Sequence, residues 1–200
     1  MHRPCFVILI CVLVGLLPSG NTQAQWMQTN GPYGGYIYTL AASYNLAGST
    51  NLFAGSNGGV FRSTNNGTSW TALATSPSTV VLSLVVDGTD LFAGTDSSGV
   101  FRSTNNGTSW TPVSAGLTNT VILSLAVSGN NLFAGTQGGG VFRSTNHGAS
   151  WVSINDGLTS TDVYLLTVSG TNLFAGTRGA GVFLSTDNGA HWTAVNAGLT

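Results

Sequence analysis

Carboxylate pairs are the residues that could support catalysis in this chain, since two carboxylates facing each other across a cleft can cleave a glycosidic bond. Every carboxylate side chain is an aspartate: Asp87, Asp90, Asp96, Asp156, Asp162 and Asp187. Asp87, Asp90 and Asp187 fall in predicted turns, where a short acidic side chain bonds the backbone. Of the other three, Asp96 and Asp162 are the best candidate catalytic pair. Their spacing does not force them together, so we interpret both as polar loop residues, and the sequence favours a non-catalytic protein.

Three arginines could instead clamp a substrate carboxylate by paired hydrogen bonds. Arg62, Arg102 and Arg143 recur, however, at one position of a repeat, where Leu184 stands in the fourth copy. Equivalent positions spread around a ring cannot converge on one carboxylate. We therefore expect these side chains to be solvated or to pack along their stems.

Histidines and glycine-rich segments give no cofactor site. His147 and His191 lie in separate repeats, whereas a metal site needs three or four converging ligands. Gln137-Gly-Gly-Gly140 and Arg178-Gly-Ala-Gly181 open no predicted helix, as a phosphate-binding or dinucleotide-binding loop would. We predict neither a metal nor a cofactor.

The charge of the chain argues against a nucleic-acid partner. Five basic residues stand against six acidic ones, for a formal net charge of −1. A protein with so little positive charge cannot gain affinity by releasing counterions from DNA or RNA. The partner classes left open are protein and carbohydrate.

The first residues have the pattern of a secretory signal peptide. Arg3 precedes an apolar run over 5–17 and a small-residue exit at Thr22-Gln-Ala24, which predicts a signal peptide over 1–24. The run is too short to span a bilayer, so we expect no membrane span after cleavage and a secreted or periplasmic location. Cys5 and Cys11 fall inside this segment, so no disulfide is expected in the mature chain.

Internal repetition is the dominant signal in the rest of the chain. Leu-Phe-Ala-Gly begins at Leu52, Leu91, Leu132 and Leu173. Each copy is followed by a second block of the type Gly-Val-Phe-Arg-Ser-Thr-Asn-Asn-Gly-Thr-Ser-Trp, which ends at Trp70, Trp110, Trp151 or Trp192. Two blocks in fixed order, four times over, indicate a repeat architecture.

Within one unit the residue pattern is that of β-strands. In the third unit it predicts strands over 121–127, 132–136, 140–145 and 150–154, and no segment has helical periodicity. Four short strands in about 41 residues make a propeller blade. We predict an all-β β-propeller of four-stranded antiparallel blades at about 36–74, 80–114, 121–155 and 162–196. The first strand of each is apolar on both faces and is expected to be innermost.

The turn between the third and fourth strands accounts for the second block. We expect the Asn65 side chain to accept hydrogen bonds from backbone N–H groups two residues on, and Gly67 to adopt a positive φ. Trp70 opens the fourth strand, where its ring can be buried between blades.

This turn carries a resemblance to a known family. Ser185-Thr-Asp-Asn-Gly-Ala-His-Trp192 matches Ser-x-Asp-x-Gly-x-x-Trp throughout, and the chain thereby resembles the Asp-box, or BNR-repeat, propellers of the sialidase-like superfamily. The other copies have Asn in place of Asp, which keeps the acceptor oxygen. The resemblance implies a structural role for Ser63, Asn65, Gly67, Trp70, Ser103, Asn105, Gly107, Trp110, Ser144, Asn146, Gly148, Trp151, Ser185, Asp187, Gly189 and Trp192. Such repeats occur in sialidases, xyloglucan-cleaving glycosidases, sortilin and photosystem II assembly factors, so the function stays open.

The start and end of the repeat region predict a longer propeller. Trp26 resembles the head of a fourth strand, so residues 25–30 are interpreted as an orphan outer strand that would complete a blade elsewhere. The last residues, Asn196-Ala-Gly-Leu-Thr200, copy Ser114-Ala-Gly-Leu-Thr118, which leads into another inner strand. We expect the four units to belong to a propeller of six to eight blades.

The loops between second and third strands are the predicted recognition surface, because they vary on a repeated frame. They cover 56–58, 95–98, 136–139 and 177–180. Tyr33, Tyr36, Tyr38 and Tyr164 are candidate aromatic contacts, although we expect Tyr36 and Tyr38 to be buried between blades. The leading hypothesis is an exported, non-catalytic binding or assembly scaffold. The alternatives are a polysaccharide-acting glycoside hydrolase and a repeat protein that self-associates through open strand edges.

Overall fold

The computed structural model describes residues 35–44, 50–74 and 76–199, which form four antiparallel four-stranded sheets without a helix. The predicted all-β class is therefore confirmed. Blade 1 contains β1 (Ile37–Tyr44), β2 (Thr50–Ser56), β3 (Gly59–Ser63) and β4 (Thr71–Ala72). Blade 2 contains β5 (Val81–Asp87), β6 (Asp90–Thr95), β7 (Val100–Ser103) and β8 (Thr111–Pro112). Blade 3 contains β9 (Ile122–Ser128), β10 (Asn131–Thr136), β11 (Gly140–Ser144) and β12 (Val152–Ser153), and blade 4 contains β13 (Val163–Ser169), β14 (Asn172–Thr177), β15 (Gly181–Ser185) and β16 (Thr193–Ala194).

The first strand of each blade is the innermost one, because β1, β5, β9 and β13 contact one another in succession. A hydrogen bond joins each neighbouring pair: the Leu84 N–H donates to Thr39 Oγ1 over 3.1 Å, and the Leu125 N–H donates to Ser83 Oγ over 2.9 Å. The Leu166 N–H makes the same bond to Ser124 Oγ. These hydroxyls fix the stagger of successive blades.

The hydrophobic core lies between blades. One buried cluster combines Phe92 and Val100 of blade 2 with Ile122, Leu125 and Phe142 of blade 3. Equivalent clusters occupy the blade 1 to blade 2 junction and the blade 3 to blade 4 junction. Each blade therefore depends on its neighbours for burial of its apolar face, as expected for stacked repeats.

A β-bulge occurs near the start of every innermost strand. The pairing register shifts so that one residue has no ladder partner, and these residues are Tyr38, Leu82, Leu123 and Tyr164. A bulge re-aims its side chain. The burial expected for Tyr36 and Tyr38 is wrong, since they are 66% and 48% exposed, and their rings lie 6.3 Å apart. Tyr38 is the bulged residue and Tyr36 precedes the strand, so neither follows the in–out alternation of the sheet.

Two predictions concern segments outside the described residues. These are the signal peptide over 1–24 and the orphan strand over 25–30; Tyr33 also lies outside them. In the part of the chain that the structure describes, no helix has the length and apolar character needed to cross a membrane.

Candidate functional site

The four turns between third and fourth strands, here called box turns (63–70, 103–110, 144–151 and 185–192), share one hydrogen-bond pattern. In the first, Ser63 Oγ accepts from the Gly67 N–H over 2.9 Å and donates to Asn65 Oδ1 over 2.9 Å. Asn65 Oδ1 also accepts from the Ser69 N–H, and Asn65 Nδ2 donates to Ser69 Oγ. The serine is buried in every copy. The serine and asparagine side chains of the first box turn thus bond within the turn.

Two details of the box turn differ from the sequence prediction. Asn65 accepts from the N–H four residues on, not two, because the buried Ser63 hydroxyl takes the Gly67 N–H. Gly67 has the expected positive φ of 82°, but Asn66 before it is also left-handed, with φ of 56°. The same holds for Asn106, His147 and Asn188. Asparagine tolerates this region better than most residues, which is a signal that the sequence offered.

The fourth box turn differs in carrying charge. Asp187 accepts from the His191 N–H at Oδ1 and lies 2.7 Å from His191 Nδ1 at Oδ2. These bonds and the Ser185 hydroxyl hold the pKa of Asp187 well below its usual range. The carboxylate in turn raises the pKa of His191 above 6.5. His191 Nε2 lies 3.5 Å from Asp156 Oδ2, so the imidazole connects blade 4 with the segment that leaves blade 3.

The arginines of the repeat do not converge. Arg62 Nη1 donates to Asn106 O and Arg143 Nη1 donates to Asn188 O, each across 3.2 Å to the box turn of the next blade. Arg102 instead makes two hydrogen bonds to Asp90 Oδ2 in its own blade. Sequence reasoning missed this cross-blade role.

The two candidate catalytic carboxylates lie in different blades. Asp96 Oδ1 accepts hydrogen bonds from Thr79 Oγ1 over 2.5 Å and from Ser97 Oγ over 3.0 Å. Asp162 lies before β13, where its carbonyl oxygen accepts from the Arg178 N–H. Blade 3 stands between these two positions. The structure therefore places Asp96 and Asp162 at separate junctions, and it does not bring them together as a pair.

Among the described residues, no group of three or more His, Cys, Asp or Glu side chains is placed to hold a metal ion. Tyr164, Thr177 and Arg178 line an open surface. It is a shallow surface of three residues, one of them the 48% exposed Tyr164.

A leucine fills the second and third junctions between blades. The linker from blade 2 to blade 3 turns at Ser114-Ala-Gly-Leu117, and the next linker turns at Asn155-Asp-Gly-Leu158. Leu117 packs against the cluster that contains Phe142 and Trp151, and Leu158 packs against the cluster that contains Phe183 and Trp192. All four aromatic rings are buried. We call each such Gly-Leu turn a plug, because its leucine packs against the cluster that contains the outer aromatic pair of the following blade.

The plug is held by the backbone and the indole of the tryptophan in the next blade. The Trp151 N–H donates to Ala115 O over 2.9 Å, and Trp151 Nε1 donates to Val113 O over 2.8 Å. Gly116 has φ of 90°, and a Cβ on it would collide with Trp151 O. Glycine is required there because the turn lies directly on the backbone of the next blade. Trp192 repeats the arrangement with Asp156 O and Ile154 O.

The first junction has no plug. Ser76 takes the place of Ser114, since its Oγ accepts from the Val60 N–H as Ser114 Oγ accepts from the Val100 N–H. The residues that follow it are Pro77-Ser-Thr79, with neither glycine nor leucine. Trp110 is only half-buried, and its Nε1 donates to Gly107 O of its own box turn.

A cleft of about 250 Å³ results, lined by Ser76, Pro77, Ser78, Thr79, Ser98, Phe101 and Trp110. We call it the first-junction cleft. Its walls are the half-buried rings of Phe101 and Trp110, and its rim carries four hydroxyls. Asp96 adjoins the rim through Thr79. Aromatic walls with a few polar groups form the usual make-up of a binding site. Sequence reasoning named Ser98 and Asp96 as loop residues but missed the cleft. The sequence signal for the cleft was the absence of Gly-Leu from the first linker.

Comparison with known proteins identifies the family. The model of the DUF6242 beta propeller domain matches residues 90–199. The chain belongs to this family. The DUF6242 match confirms that the four sheets are blades of a β-propeller. No curated protein matches the chain.

Solved structures of other propellers have the same fold. The extracellular domain of BT4673 from B. thetaiotaomicron is 20% identical over 83% of this chain, with a TM-score of 0.67. The GH74 xyloglucanase from Xanthomonas campestris is 18% identical over 88%, with a TM-score of 0.63. YCF48 bound to D1 peptide is 15% identical over 80%, with a TM-score of 0.56. The DUF6242 chain covers 23%, 32% and 53% of these proteins, respectively. The matches therefore include an enzyme and a peptide-bound protein.

Proposed function

We propose that the chain is an exported, non-catalytic propeller that binds a segment of a partner protein in the first-junction cleft. The observation that carries the proposal is the exposure of Phe101 and Trp110. Their equivalents at the next two junctions are buried under a plug. Partly exposed aromatic rings in a concave site are typical anchors for a partner.

A protein partner is favoured over a glycan because the equivalent sites in this molecule are already filled by peptide. The aromatic pairs Phe142 with Trp151 and Phe183 with Trp192 are covered by the chain's own Gly-Leu turns. A surface of the same residue types at the first junction suits the same kind of occupant. YCF48 has been solved with a bound peptide, which supports peptide binding by this fold.

The non-catalytic part of the proposal rests on the carboxylates. Asp96 is hydrogen-bonded to Thr79 and Ser97 beside the cleft, and the described residues that line the cleft include no carboxylate. A glycosidase needs two carboxylates within several ångströms of the scissile bond. The likeness of the box turns to Asp-box repeats agrees with a structural role for Asp187, since that motif occurs in propellers with and without activity.

Export is the expected consequence of the signal sequence over 1–24. Its test is N-terminal sequencing of the chain recovered outside the cytoplasm of the expressing cells. We expect a mature terminus at Gln25. A chain that retains residues 1–24 in the cytoplasm would contradict export.

The binding test uses a phage-displayed library of random twelve-residue peptides, selected on the wild-type chain. We expect selected peptides to bind the wild type and a Trp70→Ala variant equally, and to lose binding to a Trp110→Ala variant. Trp70 is the matched control, because it holds the same repeat position in blade 1, outside the cleft. Failure to select any peptide, or equal binding to the Trp110→Ala variant, would contradict the proposal. So would cleft-dependent binding of a neutral xyloglucan oligosaccharide in place of peptide.

A further inference from the structure

The first-junction cleft corresponds in position to the Gly-Leu plug of the second and third junctions. Leu117 and Leu158 are each presented by a tight turn, in which the leucine N–H donates to Ser114 O or Asn155 O over 3.0 Å. The glycine before each leucine lies on the next tryptophan backbone. The plug is therefore a short peptide unit, Gly-Leu, held by its backbone and by one aliphatic side chain.

The first linker makes the same anchoring hydrogen bond as the other linkers and then follows a different path. The Ser76 N–H donates to Leu73 O, and Ser76 Oγ holds the Val60 N–H, so the chain reaches the same anchoring point as the other linkers. From Ser76 to the inner strand at Val81, the segment Pro77-Ser-Thr-Val80 is too short to include a Gly-Leu turn. The blade 1 to blade 2 cluster accordingly contains Phe101 and Trp110 as partly buried members, together with Leu73 at the position of Val113, but has no leucine at the position of Leu117.

We infer that the partner segment places a leucine-sized aliphatic side chain between Phe101 and Trp110, and thereby supplies in trans the plug that linker 1 lacks. This inference rests on the proposed function and specifies its ligand. The hydroxyls of Ser78 and Ser98 line the cleft and can bond the backbone of the segment, while Thr79 Oγ1, which donates to Asp96, can accept a hydrogen bond from it. Water displaced from the aromatic walls favours the association.

A glycine before the leucine follows from the same equivalence. Gly116 and Gly157 have φ of 90° and 86°, and a Cβ at either position would meet the backbone of the following tryptophan. A partner segment that approaches Trp110 in the same way needs a residue without Cβ at that place. The inferred recognition unit is thus Gly followed by Leu, or by a similar aliphatic residue.

The test is isothermal titration of the full wild-type chain with two peptides that copy linker 2. One is Ser-Ala-Gly-Leu-Thr-Asn with blocked ends, and the other has Ala in place of Leu. Burial of one leucine side chain sets the expected difference, which is a loss in affinity of about 10- to 100-fold for the Ala peptide.

The matched variant fills the cleft from within. Residues 74–79 are replaced by Ser-Ala-Gly-Leu-Thr-Asn-Thr, the sequence of linker 2, which provides an internal plug. This variant should fold at least as stably as the wild type, because it reproduces a junction already present twice. We expect it to bind neither peptide, and Phe101→Ala to weaken binding of the Leu peptide by at least 10-fold.

The outcomes separate this inference from the proposed function. Equal affinity of the Leu and Ala peptides, with binding lost in the plugged variant, would overturn the leucine inference and leave peptide binding in the cleft standing. Equal binding of the Leu peptide to the wild type and to the plugged variant would overturn both. Failure of the Leu peptide to bind, while library peptides without an aliphatic side chain bind, would overturn the leucine inference alone.

Discussion

The first junction and the two that follow it are built from nearly the same blades but differ in the linker. At the second and third junctions a Gly-Leu plug buries Trp151 and Trp192, which are 3% and 4% exposed. At the first junction Pro77-Ser-Thr79 follows the anchoring serine, and Trp110 remains half-buried. The blade frame is thus constant, and the linker decides whether a junction is closed.

The comparison shows how a repeat protein can obtain a binding site when one linker lacks the segment that covers the equivalent surface elsewhere. The aromatic pair exists in every blade, as Phe61 with Trp70, Phe101 with Trp110, Phe142 with Trp151 and Phe183 with Trp192. A site arises at the junction whose linker lacks the Gly-Leu plug. Aromatic rings and a hydroxyl rim are then already in place, on rigid strands.

The largest expected effect separates the junctions through their tryptophans. Trp151→Ala removes a buried ring and its bond to Val113 O, and should cost about 3–5 kcal/mol of unfolding free energy. Trp110→Ala should cost only about 1–2 kcal/mol, since its ring is half-exposed already. Urea unfolding of both variants measures the difference. Equal losses would break the comparison.

A leucine substitution should destabilise a closed junction without opening it. Leu117→Ala removes the side chain of the plug at the second junction and should cost about 2 kcal/mol in thermal or urea unfolding. It should leave the titration stoichiometry of the Leu peptide unchanged, because the backbone at Ala115 and Gly116 still lies against Trp151. Leu199→Ala is the control, because Leu199 occupies the same turn position yet is 61% exposed, and should change stability by less than about 0.5 kcal/mol. A loss for Leu117→Ala as small as that for Leu199→Ala would contradict the role of the leucine in closing the second junction.

The box turns should not distinguish the junctions. Ser103→Ala and Ser144→Ala each leave a buried glycine N–H without its acceptor, and should cost the same, about 1–2 kcal/mol. Thr104→Ala and Thr145→Ala, at the exposed neighbouring positions, serve as controls. A marked difference between the two serine variants in chemical denaturation would show that the blades themselves differ, not only their linkers.

The smallest effect concerns the third junction, where His191 connects Asp187 with Asp156. The raised pKa of His191 means that its contribution to stability is present below pH 6.5 and is lost as the pH rises through the folded-state value. The lowered pKa of Asp187 makes its contribution present above pH 3.8 and lost as the pH falls. Because both groups are exposed, the gain is small.

The pKa of His191 can be followed by its ring proton resonance in an NMR titration. We expect a midpoint above 6.5 in the wild type and a return toward 6.5 in Asp187→Asn. A midpoint that Asp187→Asn leaves unchanged would show that the pair does not form in solution.

The fold followed from the sequence because its signals are local and repeated. Leu-Phe-Ala-Gly marks β2, β6, β10 and β14, and the Gly67 class of turn glycines has the positive φ that was expected. The fourth strand was overestimated, since β12 spans only Val152–Ser153 and Ser150 still belongs to the box turn through its N–H bond to Asn146.

The candidate site was less accessible to sequence reasoning. The bulge at Tyr38 and the cross-blade bonds of Arg62 depend on how strands and blades stack, which no local pattern specifies. The cleft depends on contact between linker 1 and Trp110, which lie about 30 residues apart in sequence. Comparing the linkers would have shown the missing Gly-Leu, but its consequence needs the packing of Leu117 and Leu158.

The most direct test of the account is a titration of the ¹⁵N-labelled chain with Ser-Ala-Gly-Leu-Thr-Asn, followed by the indole N–H resonances of the tryptophans. The account predicts that the Trp110 resonance shifts progressively, while those of Trp151 and Trp192, bonded to Val113 O and Ile154 O, stay in place. A Trp110 resonance that does not move, or equal shifts at all three indoles, would contradict it.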